Sequence, residues 1–352
     1  MDHEFHSHPV FYEEQGHSYL QGFIDFHTHT STRVIVLCDH NTRRHCLPLL
    51  RDKLQDPDAI QVIEMPAGEG HKNLQTCQQV WQELIDGYAD RQAILINLGG
   101  GVVTDLGGFA ASVYKRGIRF IHMPTSLLGM TDAAIGGKTA VDLRMLKNMI
   151  GLFAQPLAVF IEPRFIYTLP ERELKNGFAE MLKHGLISEP DYFNELASQG
   201  PFSITSEQIR LSVEIKSAIV IRDPFEKNHR KSLNFGHTIG HALESYSLEH
   251  DSDPLLHGEA VIIGMIGETL LSQRTGLMKD DEADRIINAL LPYLPEYTIT
   301  PQAIEASLLL MQHDKKNAGS QPGFTLLRHA GRPVNDQQAD QEMVREIMEE
   351  II

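Results

Sequence analysis

Five short apolar runs rich in β-branched residues punctuate the first half of the chain: RVIVLCD at 33–39, AIQVIEM at 59–65, AILINLG at 93–99, IRFIHMP at 118–124 and LAVFIEP at 157–163. Helical patterns separate them, and strands alternating with helices predict βαβ units around a largely parallel sheet. From about residue 165 the pattern changes to long helical segments such as RELKNGFAEMLKHGLI, SEQIRLSVEIKSAIVI and GEAVIIGMIGETLLSQ, with few strand-like runs between them. The expected fold is therefore an α/β first domain over residues 1–164 and an all-α second domain over 165–352. The boundary is expected near IEPRFIYTLPER, where two prolines bracket a short segment, and ligands are expected in the cleft between the halves.

Composition narrows the partners. The chain has 352 residues, 42% of them hydrophobic, and a formal charge of -16. Nucleic acid and anionic membrane both need a basic footprint, so neither is expected as a partner, and an anionic substrate must meet a local cluster of Lys and Arg. Cys38, Cys46 and Cys77 form no CxxC pair and are odd in number, which suits a reducing cytoplasm better than a disulfide framework or a thiolate zinc site. MDHEFHSHPVFYEEQG lacks the basic start and apolar middle of a signal peptide, no apolar run reaches the roughly 18 residues of a membrane helix, and the chain reads as soluble. His3, His6, His8, His17, His27 and His29 enrich the first thirty residues in imidazole, which reads as a solvated terminal segment with no assigned role.

Three loops point to a nucleotide. AILINLG runs into Gly99-Gly100-Gly101, and a helical pattern follows at once. Such a turn presents backbone N–H groups and the positive end of a helix to a phosphate, although a tight strand-to-helix turn needs glycine as well. Thr104 occupies the last glycine position of the GxGxxG fingerprint. Asp39, ending RVIVLCD, can accept hydrogen bonds from a ribose or cap a helix. MPAGEGHKN carries Glu69 and Lys72 on a Pro/Gly loop at the same strand edge.

Cations for an anionic substrate concentrate at 116–151, where Arg116, Lys138 after a glycine pair, and Lys147-Asn148 occur. Charge assistance roughly doubles the strength of hydrogen bonds to phosphate or carboxylate. Arg144 reads as solvated, whereas Lys138 sits in the small, apolar IGGKTAV. Lys216 lies in an apolar helical stretch, Arg230 and Asn234 lead into the histidine segment, and one of Lys315 or Lys316 could fold over a site.

LNFGHTIGHALESYSLEHDSDPLLHGEA places His237 and His241 one helical turn apart on a shared face, and His257 precedes a helix whose first turn carries Glu259. A lone histidine pair is commonly structural, but NGFAEMLKHGLI adds Glu180, with Lys183 and His184 on its face. Two histidines and a carboxylate with one open position make the usual ligand set of a catalytic zinc, able to polarise a carbonyl or acidify a bound hydroxyl. A nucleotide loop, an open metal site and clustered cations together suggest redox chemistry on a polyhydroxylated, phosphorylated acid.

GGGVVTDLGGFAAS, YKRGIRFIHMPTSLLGMTDAAIGGK, LKNMIG, NGFAEMLKHGLI, LNFGHTIGHALE and LHGEAV, in this order over about residues 35 to 330, resemble the motifs of the 3-dehydroquinate synthase family of sugar-phosphate cyclases. The resemblance implies a Rossmann-like N-terminal domain, a helical C-terminal domain and a homodimer. It implies that Glu180, His237 and His257 hold zinc, with cobalt as an alternative, and that His241 lies beside the substrate as a proton relay. Asp39, Asn41, Glu69, Lys72, Gly99, Gly100, Asp105, Thr125, Ser126, Lys138, Lys147, Thr168, Leu169 and Glu173 would surround NAD. Asp132, Lys138, Asn148, Lys183, Lys216, Arg230, Asn234 and one of Lys315 or Lys316 would bind the substrate, with Arg116 reaching across the dimer.

The chain departs from the family pattern at Thr104, at Ser126 and at Ala133-Ala134. A longer stretch between His241 and His257 reads as a loop insertion. The implied reaction converts 3-deoxy-D-arabino-heptulosonate 7-phosphate to 3-dehydroquinate and phosphate, with NAD recycled, the substrate's phosphate serving as base and an intramolecular aldol step closing the ring. Other cyclases, such as 2-deoxy-scyllo-inosose synthase and 2-epi-5-epi-valiolone synthase, use this machinery on neutral sugar phosphates, and Lys216, Arg230, Asn234 and the Lys315-Lys316 pair favour an acid. A metal-dependent polyol dehydrogenase would instead release NADH, and a non-catalytic metal-binding protein would use the N-terminal histidines.

Overall fold

The computed structural model describes residues 8–29, 33–143, 146–313 and 323–351, and the chain divides into two compact units, Met1–Glu173 and Leu174–Ile352. The division falls just beyond the proline-bracketed segment that the sequence marks. His3, His6, Arg144, Lys315 and Lys316 lie outside the described residues.

The first unit is built on β1 (Val10–Tyr12), β2 (Val34–Asp39), β3 (Ile60–Met65), β4 (Ile94–Gly99), β5 (Arg119–Pro124), a hairpin of β6 (Lys138–Leu143) and β7 (Leu146–Phe153), and β8 (Val159–Ile161). Six of these form a parallel sheet in the order β1-β8-β5-β4-β2-β3. All five anticipated strands are present. Val34 to Cys38 and Ile94 to Gly99 are buried throughout, as continuous apolar runs should be in a sheet covered on both faces. The cover comes from α1 (Glu13–His29), α2 (His40–His45), α3 (Leu47–Arg51), α4 (Leu74–Asp86) and α5 (Gly101–Val113). Helix α4 buries Cys77, Val80 and Leu84 at helical spacing, and α5 lies flat on β4 because Gly107 has no Cβ, which would sit 2.0 Å from Asn97 Oδ1.

One expectation is corrected here. The N-terminal segment is not merely solvated: β1 pairs with β8, and α1 buries Leu20 and Ile24, four residues apart on one face. Two of its histidines have partners, His8 Nδ1 lying 2.6 Å from Gln155 Oε1 and His17 Nε2 lying 2.9 Å from Glu162 Oε2. The β6–β7 hairpin was not anticipated, because glycines and scattered charges hide its alternation.

The second unit is helical, with α6 (Glu171–Ile187), α7 (Pro190–Gln199), α8 (Ser206–Arg222), α9 (His237–His250), α10 (His257–Arg274), α11 (Asp280–Leu290), α12 (Pro301–His313) and α13 (Gln341–Glu350). An antiparallel hairpin, β9 (Gly323–Leu327) with β10 (Pro333–Gln338), corrects the all-α expectation in detail. Phe324, Leu326 and Leu327 are buried, whereas the polar VNDQQ of β10 leaves no apolar run to betray a strand. The extra length between His241 and His257 is mostly helix, since α9 continues to His250 and only Asp251 to Leu256 form a loop. Among the described residues no helix is long and apolar enough to cross a membrane.

Candidate functional site

Parallel strands bring their C-terminal ends to one edge. Asp39 is in register with Met65, and Gly99 with Pro124. The chain steps one way from β2 to β3 and the other way from β4 to β5, so the β2–β4 pair is the switch point beside which open α/β sheets collect ligands. Gly100 caps α5 without any side-chain bond, leaving the first N–H groups and the positive end of a 13-residue helix available to an anion. Thr104 does not obstruct this turn, since its buried hydroxyl donates to Gly101 O at 3.1 Å.

On this edge Lys72 gathers three carboxylates, with Nζ lying 3.0 Å from Glu69 Oε1, 3.4 Å from Asp105 Oδ2 and 3.9 Å from Asp142 Oδ1. Lys147 Nζ is 3.4 Å from Glu69. Burial opposes the charge on Lys72, but the carboxylates outweigh it and raise its pKa. Burial lifts the Asp105 carboxyl to about 6 against the pull of Lys72. Glu69, Lys72, Asp105 and Lys147 are thus brought together, and the sequence reading missed Asp142, which becomes visible only once the β6–β7 hairpin is recognised.

Asp39 caps α2, accepting from Thr42 N at 2.8 Å, and Asn41 is exposed on that helix. Thr125 follows β5 and donates its N–H to Gly99 O at 3.0 Å, with Ser126 next to it. Thr168 lies 3.8 Å from Cys46 Sγ, Leu169 ends the same short helical turn, and Glu173 stands in the first turn of α6. Asp132 sits in the π-helical turn Gly129–Ala133. Lys138 is exposed at the start of β6, and Asn148 and Arg116 are exposed with left-handed φ of 52° and 71°.

In the second unit the histidines converge. His237 and His257 Nε2 lie 3.5 and 3.4 Å from Glu180 Oε1, and the Glu180 side chain is fully buried. Lys183, one turn along α6, pairs with the other oxygen of Glu180. His184 Nδ1 is 2.7 Å from Ser212 Oγ, and its Nε2 lies 4.0 Å from Glu180 Oε2. Nitrogen atoms of His237, His241 and His257 also fall within 4.8 Å of one another, with His241 exposed. Glu180 and His241 therefore both stand beside the His237–His257 pair.

The imidazoles are oriented from behind. His237 Nδ1 is 3.1 Å from Phe235 O and His257 Nδ1 is 3.2 Å from Glu244 Oε2, which leaves both Nε2 atoms facing Glu180. Burial, with Lys183 and the neighbouring histidines, lowers the His237 pKa and keeps that ring neutral. At His257 burial opposes protonation, but Glu244 and Glu180 prevail and raise it to about 9. Glu259 is a capping residue, accepting from Leu256 N at 2.8 Å. The sequence reading missed Glu244, although it lies seven residues after His237 on the same face of α9.

Lys216 and Arg230 are buried, and Asn234 is partly so. Arg230 Nη1 donates to Pro224 O at 2.7 Å, and Asn234 donates to Glu226 Oε1 at 2.8 Å.

The family model described as 3-dehydroquinate synthase N-terminal matches residues 62–176, and that described as 3-dehydroquinate synthase C-terminal matches 177–317. The chain belongs to the 3-dehydroquinate synthase family. A 3-dehydroquinate synthase from Parabacteroides distasonis is 37% identical over 321 residues, 90% of each chain. Among solved structures, 2-epi-5-epi-valiolone synthase from Streptomyces hygroscopicus subsp. jinggangensis, with NAD+ and Zn2+ bound, is similar with a TM-score of 0.84 and 26% identity, covering 100% of this chain and 98% of that one. A 2-deoxy-scyllo-inosose synthase complexed with carbaglucose-6-phosphate, NAD+ and Co2+ shares the fold at TM-score 0.84 and 23% identity, covering 97% and 96%. The 3-dehydroquinate synthase models meet at residues 176 and 177, inside α6, the helix that carries Glu180.

Proposed function

We propose that the chain catalyses the 3-dehydroquinate synthase reaction, converting 3-deoxy-D-arabino-heptulosonate 7-phosphate to 3-dehydroquinate and phosphate with NAD recycled in each turnover. The observation that carries this reading is the Glu180, His237 and His257 cluster, both imidazoles held through Nδ1, in a chain 37% identical to a curated synthase over 90% of its length.

The donor set fits a divalent metal. A buried carboxylate faces two Nε2 atoms, the arrangement of two histidines and one acid that leaves a coordination position open. Glu180, His237 and His257 would hold zinc, or cobalt in its place. When bound, metal and NAD supply a Lewis acid and a hydride acceptor.

The protein's own residues do the rest. His241 is exposed beside the cluster, its ring 4.8 Å from that of His237, and it moves protons at its ring nitrogens without ligating. Lys183, which pairs with Glu180, would bind the substrate. Lys216, Arg230 and Asn234, with Asp132, Lys138 and Asn148, bind the substrate carboxylate, hydroxyls and phosphate. Glu69, Lys72, Asp105, Lys147 and the Gly99–Gly100 turn hold NAD, together with Asp39, Asn41, Thr125, Ser126, Thr168, Leu169 and Glu173. The enzyme works as a cytoplasmic homodimer in which Arg116 reaches the neighbouring site, and its three cysteines stand as free, buried thiols.

Substrate selection separates this reading from the related cyclases. Lys216 and Arg230 are buried cations, and charge-assisted hydrogen bonds from such groups suit an acid. Turnover of the heptulosonate phosphate, with none of glucose 6-phosphate, is the expected result. Comparable turnover of the neutral sugar phosphate would move the chain to the other cyclases.

A further inference from the structure

Helix α9 starts without a cap of its own. Gly236, its N-cap residue, has a left-handed φ of 79° and offers no side chain, although Gly236, Ile239 and Gly240 are buried. Unbonded N–H groups in such a first turn would be costly. Glu268 of α10 supplies the missing acceptors, Oε2 receiving Gly236 N at 2.6 Å and Oε1 receiving Thr238 N at 2.9 Å and Ile239 N at 3.3 Å. The three donors straddle His237.

Backbone contact makes this reach possible. A Cβ on Gly264 would lie 1.9 Å from Gly236 O, and one on Gly240 would lie 2.9 Å from Ala260 O, so α9 and α10 touch without intervening side chains. The Glu268 side chain is fully buried, and among the described residues the hydrogen bonds to its carboxylate come from backbone N–H groups. A buried carboxylate is an expensive way to cap a helix if stability is all it provides. What it adds is a rigid link between the turn bearing His237 and the helix bearing His257.

We propose that Glu268 is a positioning residue of the metal site, its carboxylate locking the first turn of α9 against α10 so that His237 and His257 hold their separation before metal arrives. The proposal rests on the metal reading above. It predicts that loss of the carboxylate weakens metal binding beyond what lost stability accounts for.

The test compares wild type, Glu268→Gln, Glu268→Asp and Leu84→Ala, the last being a core truncation in the first unit that lowers Tm without touching α9. Zn2+ affinity is read by chelator competition, and site geometry by the visible absorption of bound Co2+. Glu268→Gln should bind Zn2+ about tenfold or more weakly and shift the Co2+ spectrum, as loss of an orienting partner does. Leu84→Ala should bind as wild type does. Wild-type affinity and spectrum in Glu268→Gln, or an equal loss in Leu84→Ala, would overturn the proposal. If Glu268→Gln does not fold, Glu268→Asp decides in the same way, with a smaller loss expected and wild-type affinity overturning the idea. A wild-type protein that takes up no metal would overturn the metal reading together with this one.

Discussion

His257 Nδ1 lies 3.2 Å from Glu244 Oε2, and this contact turns the opposite nitrogen, Nε2, toward Glu180 Oε1 at 3.4 Å. The carboxylate therefore selects the tautomer that can ligate. Replacing Glu244 by Gln should keep the fold and weaken Zn2+ binding by about 10–100-fold. Chelator competition measures this, and unchanged affinity would remove Glu244 from the site.

The roles of the exposed and partly buried histidines can be separated. His257→Ala should lose zinc, whereas His241→Ala should keep one zinc per chain and turn over about a hundredfold or more slowly, the size of a lost proton-transfer group. Metal analysis of both purified variants, beside their rates, checks the division. Equal metal loss would show that His241 ligates.

Metal binding should depend on pH with a definite sign. Burial disfavours a charged His257, but Glu244 and Glu180 hold its proton up to about 9. A metal must displace that proton, so affinity should rise by about tenfold per pH unit below this value and level off above it. A flat affinity between about pH 6 and pH 8 would contradict the protonated state.

In the first unit, Lys72→Met would leave Glu69, Asp105 and Asp142 without their shared cation. Removing one partner from a buried charge cluster should cost about 3 kcal/mol of stability and weaken NAD binding. Urea unfolding and NAD titration measure the two effects. A stability loss below about 1 kcal/mol would mean that water already screens the cluster.

The sheet was legible because strands buried on both faces are continuous apolar runs, as Val34 to Cys38 are. Three-residue β1 and the polar β10 carry no such mark, and they became visible only through their pairing with β8 and β9. At the site, His237, His241, His257 and Glu180 were readable as candidates from residue type and apolar surroundings. Their convergence was implied by the family resemblance and not by residue spacing, since it depends on how three helices pack. Glu244 was legible in principle from the helical period. Glu268 was not, because its role exists only across the α9–α10 contact that Gly236 and Gly264 permit. Asp39 shows the limit of a single residue's meaning: the sequence allowed a ribose partner or a cap, and the structure displays a cap that is compatible with the proposed NAD contact.

The most direct test of the central claim follows phosphate and NADH together when purified, zinc-loaded protein meets the heptulosonate phosphate with a trace of NAD. Phosphate released far beyond the NAD supplied, with no lasting NADH, is the predicted outcome. NADH accumulating in proportion to product, without phosphate release, would contradict the account and mark the protein as a dehydrogenase.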